Sequence, residues 1–296
     1  MTRANPSEVL IRQRLVALGS ALPAARKGDV GAVHSARVAT RRLREALPVV
    51  AGRKVGGKLR RRMRRLTRAL GPVRELDVAL MTLDEVRASG DVADPAIARL
   101  QQMVREERER LLIEMRRQID RCDLHKLEKT ALSATIRISE KPRNDRRRVV
   151  HADRRAARRG ADLQAAIRNA AGIYLPDRLH FVRITVKKLR YAMEIARDLR
   201  GSRAMAHLRT LQRVQDLLGR MHDLEVLMAR TRAVQSTGSV RDLKLSGDLD
   251  RLVRRLEMEC RQLHVRYMNE RRGLLAICDH VAELAQQHRD GRASAA

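Results

Sequence analysis

VHSARVATRRLR at residues 33–44 returns as LHFVRITVKKLR at residues 179–190, basic for basic and apolar for apolar. The spacing inside each copy decides the fold. At about 100° per residue, His34, Arg37, Arg41 and Arg44 fall within an arc of roughly 80° on one helix. Val33, Ala36, Thr40, Leu43, Leu47 and Val50 make a mostly apolar stripe centred roughly 110° away, so a basic row flanks a core-facing row. His180, Arg183, Lys187 and Arg190 repeat the pattern beside Leu179, Val182, Val186, Leu189 and Met193. Helical spacing of apolar residues continues along the chain with almost no β-branched alternation, which predicts an all-α protein.

A second pair of blocks follows in the same order. LGPVRELDV at 70–78 matches LGRMHDLEV at 218–226. Two matched blocks indicate a tandem duplication, and the simplest architecture is two similar antiparallel helical bundles related by a pseudo-twofold axis. Breaks between helices are expected at Pro23 to Gly31, Val50 to Gly57, Gly71-Pro72, Ser89 to Pro95, Ser139 to Asp145, Gly172 to Asp177, Gly201-Ser202 and Ser236 to Gly247. Gly71-Pro72 reads as a helix stop followed by a first-turn proline. The polar SEKPRND stretch at 139–145 is the best boundary, giving halves 1–140 and 146–296.

Composition narrows the partner. Of 296 residues 44% are apolar, enough for a substantial core, yet 64 Lys and Arg against 35 acids leave a formal charge of +29. The excess is even: +14 over residues 1–145 and +15 over the remainder. Such self-repulsion normally has a polyanion to offset it. Phe181, Tyr174, Tyr191 and Tyr267 are the only aromatic residues, and modules that read single strands stack bases on aromatic faces. Cys122, Cys260 and Cys278 have no metal or redox spacing and are read as packed thiols of a reducing compartment. No run of about 18 apolar residues occurs, so a cytoplasmic protein without a transmembrane segment is expected.

Lys58, Arg61, Arg65 and Arg68 repeat the basic spacing beside Leu59, Met63, Leu66 and Leu70, while the matching segment of the second half keeps Arg209, Arg213 and Arg220. From Arg37 to Arg74 the only acid is Glu45, so these like-charge neighbours destabilise their helices without relief from sequence neighbours. Recurrence at one helical phase in both halves favours a ligand surface over a solvated face. Arg offers a planar fork to phosphate oxygens and Lys a point charge, so a linear array of phosphates is the natural complement.

His-x-x-Arg-x-x-x-Arg-Arg-Leu-Arg at His34, its partner at His180, and the blocks at Gly71 and Gly219 resemble the CHAD domain, the conserved histidine α-helical domain. The resemblance covers nearly the whole chain. It implies helical bundles about a basic central cavity or groove, inorganic polyphosphate as ligand, and association with polyphosphate granules. The phosphate-contacting role then falls to His34, Arg37, Arg41, Arg44, His180, Arg183, Lys187 and Arg190. Arg42 and Lys188 also fit the motif, on the side of the wheel away from the apolar row. Asp216 stands where the first half has Arg68, which makes the halves unequal.

Glu75 and Asp77, with Asp223 and Glu225 in the second half, read as partners that orient Arg side chains. His222-Asp223 invites comparison with metal-dependent HD phosphohydrolases, but Arg74-Glu75 in the first half cannot supply the same ligands. No nucleophile with a general base, P-loop or paired-carboxylate metal site is identified, so no catalytic residue, cofactor or metal is expected. The competing reading is nonspecific binding of nucleic acid through its phosphodiesters; the sequence leaves the oligomeric state open.

Overall fold

A computed structural model describes residues 5–90, 92, 94–139, 142–170, 172–237 and 243–293. Among these, nine helices and no strand occur: α1 (Pro6–Lys27), α2 (Val30–Val50), α3 (Arg53–Ser89), α4 (Asp94–Asp120), α5 (Leu124–Ser139), α6 (Pro142–Asn169), α7 (Pro176–Arg200), α8 (Ala206–Thr237) and α9 (Leu243–Ala293). The all-α expectation holds. Glu140 and Lys141, at the centre of the expected boundary, lie outside the described residues, as do 238–242 within the expected break from Ser236 to Gly247. Among the described residues, no helix is long and apolar enough to cross a membrane.

Local signals explain several helix ends. Asn5 accepts from the Ser7 N–H at 2.9 Å ahead of Pro6, and Asp29 accepts from the Ala32 N–H at 2.7 Å, so α1 and α2 are joined by Gly28 and Asp29 alone. Arg108 of α4 fastens that turn, donating to the Gly28 carbonyl at 2.6 Å and to buried Asp77 of α3 at 2.7 Å.

One expected break is absent, and the break expected at Val50 to Gly57 is present but confined to Ala51 and Gly52. α3 continues through Gly71-Pro72, where Pro72 can supply no N–H to the Arg68 carbonyl, because Leu70 and Val73 on either side are fully buried. Packing outweighs the local stop signal. α3 also begins at Arg53, with Gly56 already inside it, because a Cβ at Gly56 would collide with the Leu47 carbonyl of α2. That glycine serves a close helix crossing, not a turn.

α2 packs between α1 and α3, α3 leads to α4, and α6 packs on α7 and α9, with α8 against α9. The apolar residues form two cores. One joins α1, α2, α5, the first part of α3 to Val73 and the end of α4 with Ala152 of α6 and Ile195, Ala196 and Leu199 of α7. The other joins α6 to α9 with Leu76 to Val86 of α3 and Ala96 to Val104 of α4. Thus α3 and α7 each run from one core into the other, and neither core is confined to one half of the sequence. All three cysteines are free, with Cys260 and Cys278 buried.

Candidate functional site

α3 changes cores between Val73 and Leu76, and beside this crossover lies a cavity of about 560 Å³ walled by α2, α3, α7 and α8. His34, Arg37, Arg41 and Arg42 line it from α2, Gly71, Arg74 and Glu75 from α3, Arg183, Lys187, Arg190 and Tyr191 from α7, and Asp216, Gly219, Arg220, His222 and Asp223 from α8. Eight Arg and Lys side chains therefore face three carboxylates. The same positions of the repeated motif meet here: Arg37 with Arg183, and Arg41 with Lys187.

The cations divide into two groups. Arg42, Arg190 and Arg220 are anchored: Arg42 to Glu194 at 3.3 Å, Arg190 to Glu194 at 2.6 Å and to Gln215 at 3.0 Å, and Arg220 to Glu259 and Glu85, both at 2.7 Å. Arg37, Arg41, Arg74, Arg183 and Lys187 have no ion pair among the described residues. Arg37 donates instead to the Thr67 carbonyl of α3 at 3.2 Å, and a Cβ on Gly71 would lie 2.8 Å from its Nη1. Gly71 is thus the opening through which the Arg37 guanidinium reaches the α3 backbone. The Nε atom of Arg41 is buried without a hydrogen-bond partner.

Burial lowers the proton affinity of Arg37, Arg41, Arg183 and Lys187; neighbouring cations add to the effect at Arg37, Arg41 and Lys187, whereas Asp223 and Glu225 oppose it at Arg183. Lys187 is brought down to about 6, first by burial and then by Arg41, Arg183, Arg37 and Arg44. Arg37 falls to about 10 by burial, Arg41 and Arg183. Burial and Arg183 hold His222 at about 4, while His34 and His180 are lowered by burial and neighbouring cations. Burial raises the Asp223 carboxyl against the opposing pull of Arg183 and Arg74. An empty site of this kind is electrostatically unfavourable, and an anion relieves it.

Of the residues expected from sequence, His34, Arg37, Arg41, Arg183, Lys187 and Arg190 line the cavity. Arg44 sits at its edge, close enough for its charge to bear on Lys187. The His180 ring lies 4.8 Å from that of His222. Arg209 and Arg213 line an adjoining groove of about 980 Å³, and Arg213 pairs with Glu270 of α9 at 2.9 Å. Lys188 is half-buried outside the lining, and Lys58, Arg61, Arg65 and Arg68 are exposed along α3 outside it. Sequence reasoning missed Arg74 and Tyr191 as lining residues and set Arg42 behind the rest. Arg74 had a signal, since it belongs to the second repeated block; Tyr191 follows the first block's partner directly. Among the described residues no three His, Cys, Asp or Glu side chains cluster as a metal would need.

A family model for the CHAD domain matches residues 9–232. Among solved structures, the chain is similar to the crystal structure of the CHAD domain from the plant Ricinus communis, with a TM-score of 0.63 and 19% identity over 90% of each chain. It is also similar to PptA from Streptomyces chartreusis, with a TM-score of 0.55 and 15% identity over 95% of this chain and 98% of that one. At these identities the likeness establishes the fold. No curated protein sequence matches.

Proposed function

Since the chain belongs to the CHAD domain family, we propose that it binds inorganic polyphosphate in the cavity between α2, α3, α7 and α8 and leaves the chain intact. The observation that carries this reading is the set of five cations, Arg37, Arg41, Arg74, Arg183 and Lys187, that converge on the cavity without an ion pair among the described residues. A chain of phosphates brings closely spaced negative charge and oxygens on every side, which suits guanidinium forks from opposite walls. Matching motif positions on opposite walls support the view that residues 1–140 and 146–296 are pseudo-symmetric halves of one domain about a basic cavity. The protein would then reside in the cytoplasm and gather on polyphosphate granules.

Nucleic acid is the weaker reading. A duplex is far too wide for a cavity of about 560 Å³, and a single strand would find Tyr191 as its one aromatic lining residue. Labelled long-chain polyphosphate should resist displacement by duplex DNA or RNA at equal phosphate concentration and fixed salt. Displacement at comparable concentration would reject polyphosphate as the preferred ligand. Prolonged incubation should leave chain length unchanged on a gel, and shortening would show that the site cleaves its ligand.

A further inference from the structure

The cations of α3 that precede the cavity have no counter-charges either. Lys54, Lys58, Arg60, Arg61, Arg62, Arg64, Arg65 and Arg68 are all exposed, and none forms an ion pair among the described residues. The corresponding part of α8 carries far less free charge: Arg213 pairs with Glu270 of α9, and Asp216 stands where α3 has Arg68, which leaves Arg209. The two halves therefore differ: one cavity wall ends in sparse, partly paired charge, and the other runs on as open positive charge.

Helical phase sorts these residues. Counting back from Gly71, Arg64 lies seven residues away and Arg60 eleven, so both fall within roughly 20° of Gly71 on the face that borders the cavity. Lys58 and Arg62 lie on nearly the opposite side. The α2 register places a further cation beside the first pair. Thr40 meets Thr67 at 3.0 Å and Leu47 lies against Gly56, which brackets Arg44 opposite the turns of α3 that carry Arg60 and Arg64. Arg44 in turn stands at the cavity edge near Lys187. Positive charge thus continues from the cavity, past Arg44, whose Nε lies 3.6 Å from Glu45, along roughly 16 Å of α3.

We infer that Arg44, Arg64 and Arg60 form an exit track, on which a polyphosphate chain too long for the cavity continues along the groove flank of α3. This rests on the polyphosphate reading of the cavity. The track gives the protein a preference for long chains: a short oligomer fills the cavity and gains nothing outside it, whereas a long chain adds contacts made at high effective concentration. Lys58 and Arg62 contribute only to the general field.

Two double variants on one helix with equal charge change provide the test, Arg60→Glu/Arg64→Glu and Lys58→Glu/Arg62→Glu. Each is titrated at fixed ionic strength with tripolyphosphate and with a chain long enough to overrun the cavity. The first variant should bind the long chain about tenfold more weakly and tripolyphosphate within about twofold of wild type, and the second should stay within about twofold for both. Equal weakening of the long chain by both variants would make total charge the cause and overturn the track. So would an equal loss of tripolyphosphate in the first variant. A wild type that binds neither probe removes the cavity reading and the track with it, whereas a wild type that binds both leaves the cavity reading standing whichever way the variants fall.

Discussion

Lys187 is the residue on which the site's electrostatics turn. An unfolded lysine keeps its proton to about 10.4, and in the empty cavity Lys187 gives it up at about 6. Between those values the unfolded chain binds one more proton than the folded one, so this residue makes stability climb with pH. Its penalty is complete below about 6 and fades toward the unfolded value. Lys187→Met should therefore raise the melting temperature of the ligand-free protein near pH 6 to 7 and reduce its climb toward pH 9. On the proposed function a polyphosphate ligand would reverse the shift: phosphate oxygens favour the ammonium, so binding should take up a proton and affinity should rise as pH falls from 9 toward 6. Binding heats measured in two buffers of different ionisation enthalpy count that proton, and an unchanged count in Lys187→Met would place the uptake elsewhere, with His34 and His180 next in line. The sequence marks those two histidines as the pH-sensitive members of the rows. It cannot mark Lys187, whose depression comes first from burial and then from Arg41, Arg183 and Arg37, two of them on a helix far away in the chain.

At the scale of elements, α2 and α3 show how a local signal misleads. Gly-Pro ends helices in isolation, and Gly71-Pro72 reads as a stop until tertiary contacts are known. Inside α3 the glycine is required by its neighbour, since the Arg37 guanidinium occupies the place of a side chain there. Gly219 holds the matching position in α8, where an added Cβ meets nothing within 4 Å. Gly71→Ala should keep the fold, because the obstructing atom is the far end of a long side chain and alanine gains up to about 1 kcal/mol of helix propensity. It should push Arg37 away from the Thr67 carbonyl and weaken polyphosphate binding about fivefold, the loss of one hydrogen bond worth about 1 kcal/mol. Gly219→Ala should bind like wild type. Equal affinities in the two variants would show that Arg37 needs no anchoring by α3. Helix phase was readable from the repeats because periodicity is local, and it correctly aimed Arg37, Arg41, Arg183 and Lys187 at one place. Lys58, Arg61 and Arg65 have the same spacing but stand outside the cavity lining, on an exposed face of α3.

For the whole molecule, the matched motifs visible in the sequence do not tell how the core is divided. Residues 1–140 and 146–296 carry matching motifs, yet Leu76, Leu83, Ile97 and Leu100 of the first half lie in the core built mainly by α6 to α9. Ala152, Ile195, Ala196 and Leu199 of the second half lie in the other. A repeat pattern states which face of each helix is apolar and leaves open which helix covers it; here α3 and α7 are long enough to serve both cores. Cutting the chain between Ser139 and Pro142 would strip each core of side chains fully or nearly fully buried in the intact protein. Each buried leucine removed in this way costs about 2 kcal/mol of burial, and several are lost at once against a total stability of about 5 to 15 kcal/mol. The separate halves should accordingly be poorly folded, with weak helical circular dichroism and no cooperative melt, whereas coexpressed halves should copurify, regain both and bind polyphosphate. A half that melts cooperatively alone would mean that its helices close a core without their partner, and that the cavity is assembled by docking two finished bundles. Failure of the halves apart with recovery together would instead make cavity and core a single event: α3 and α7 bring Arg74, Arg183 and Lys187 to the site by the same crossing that buries their leucines.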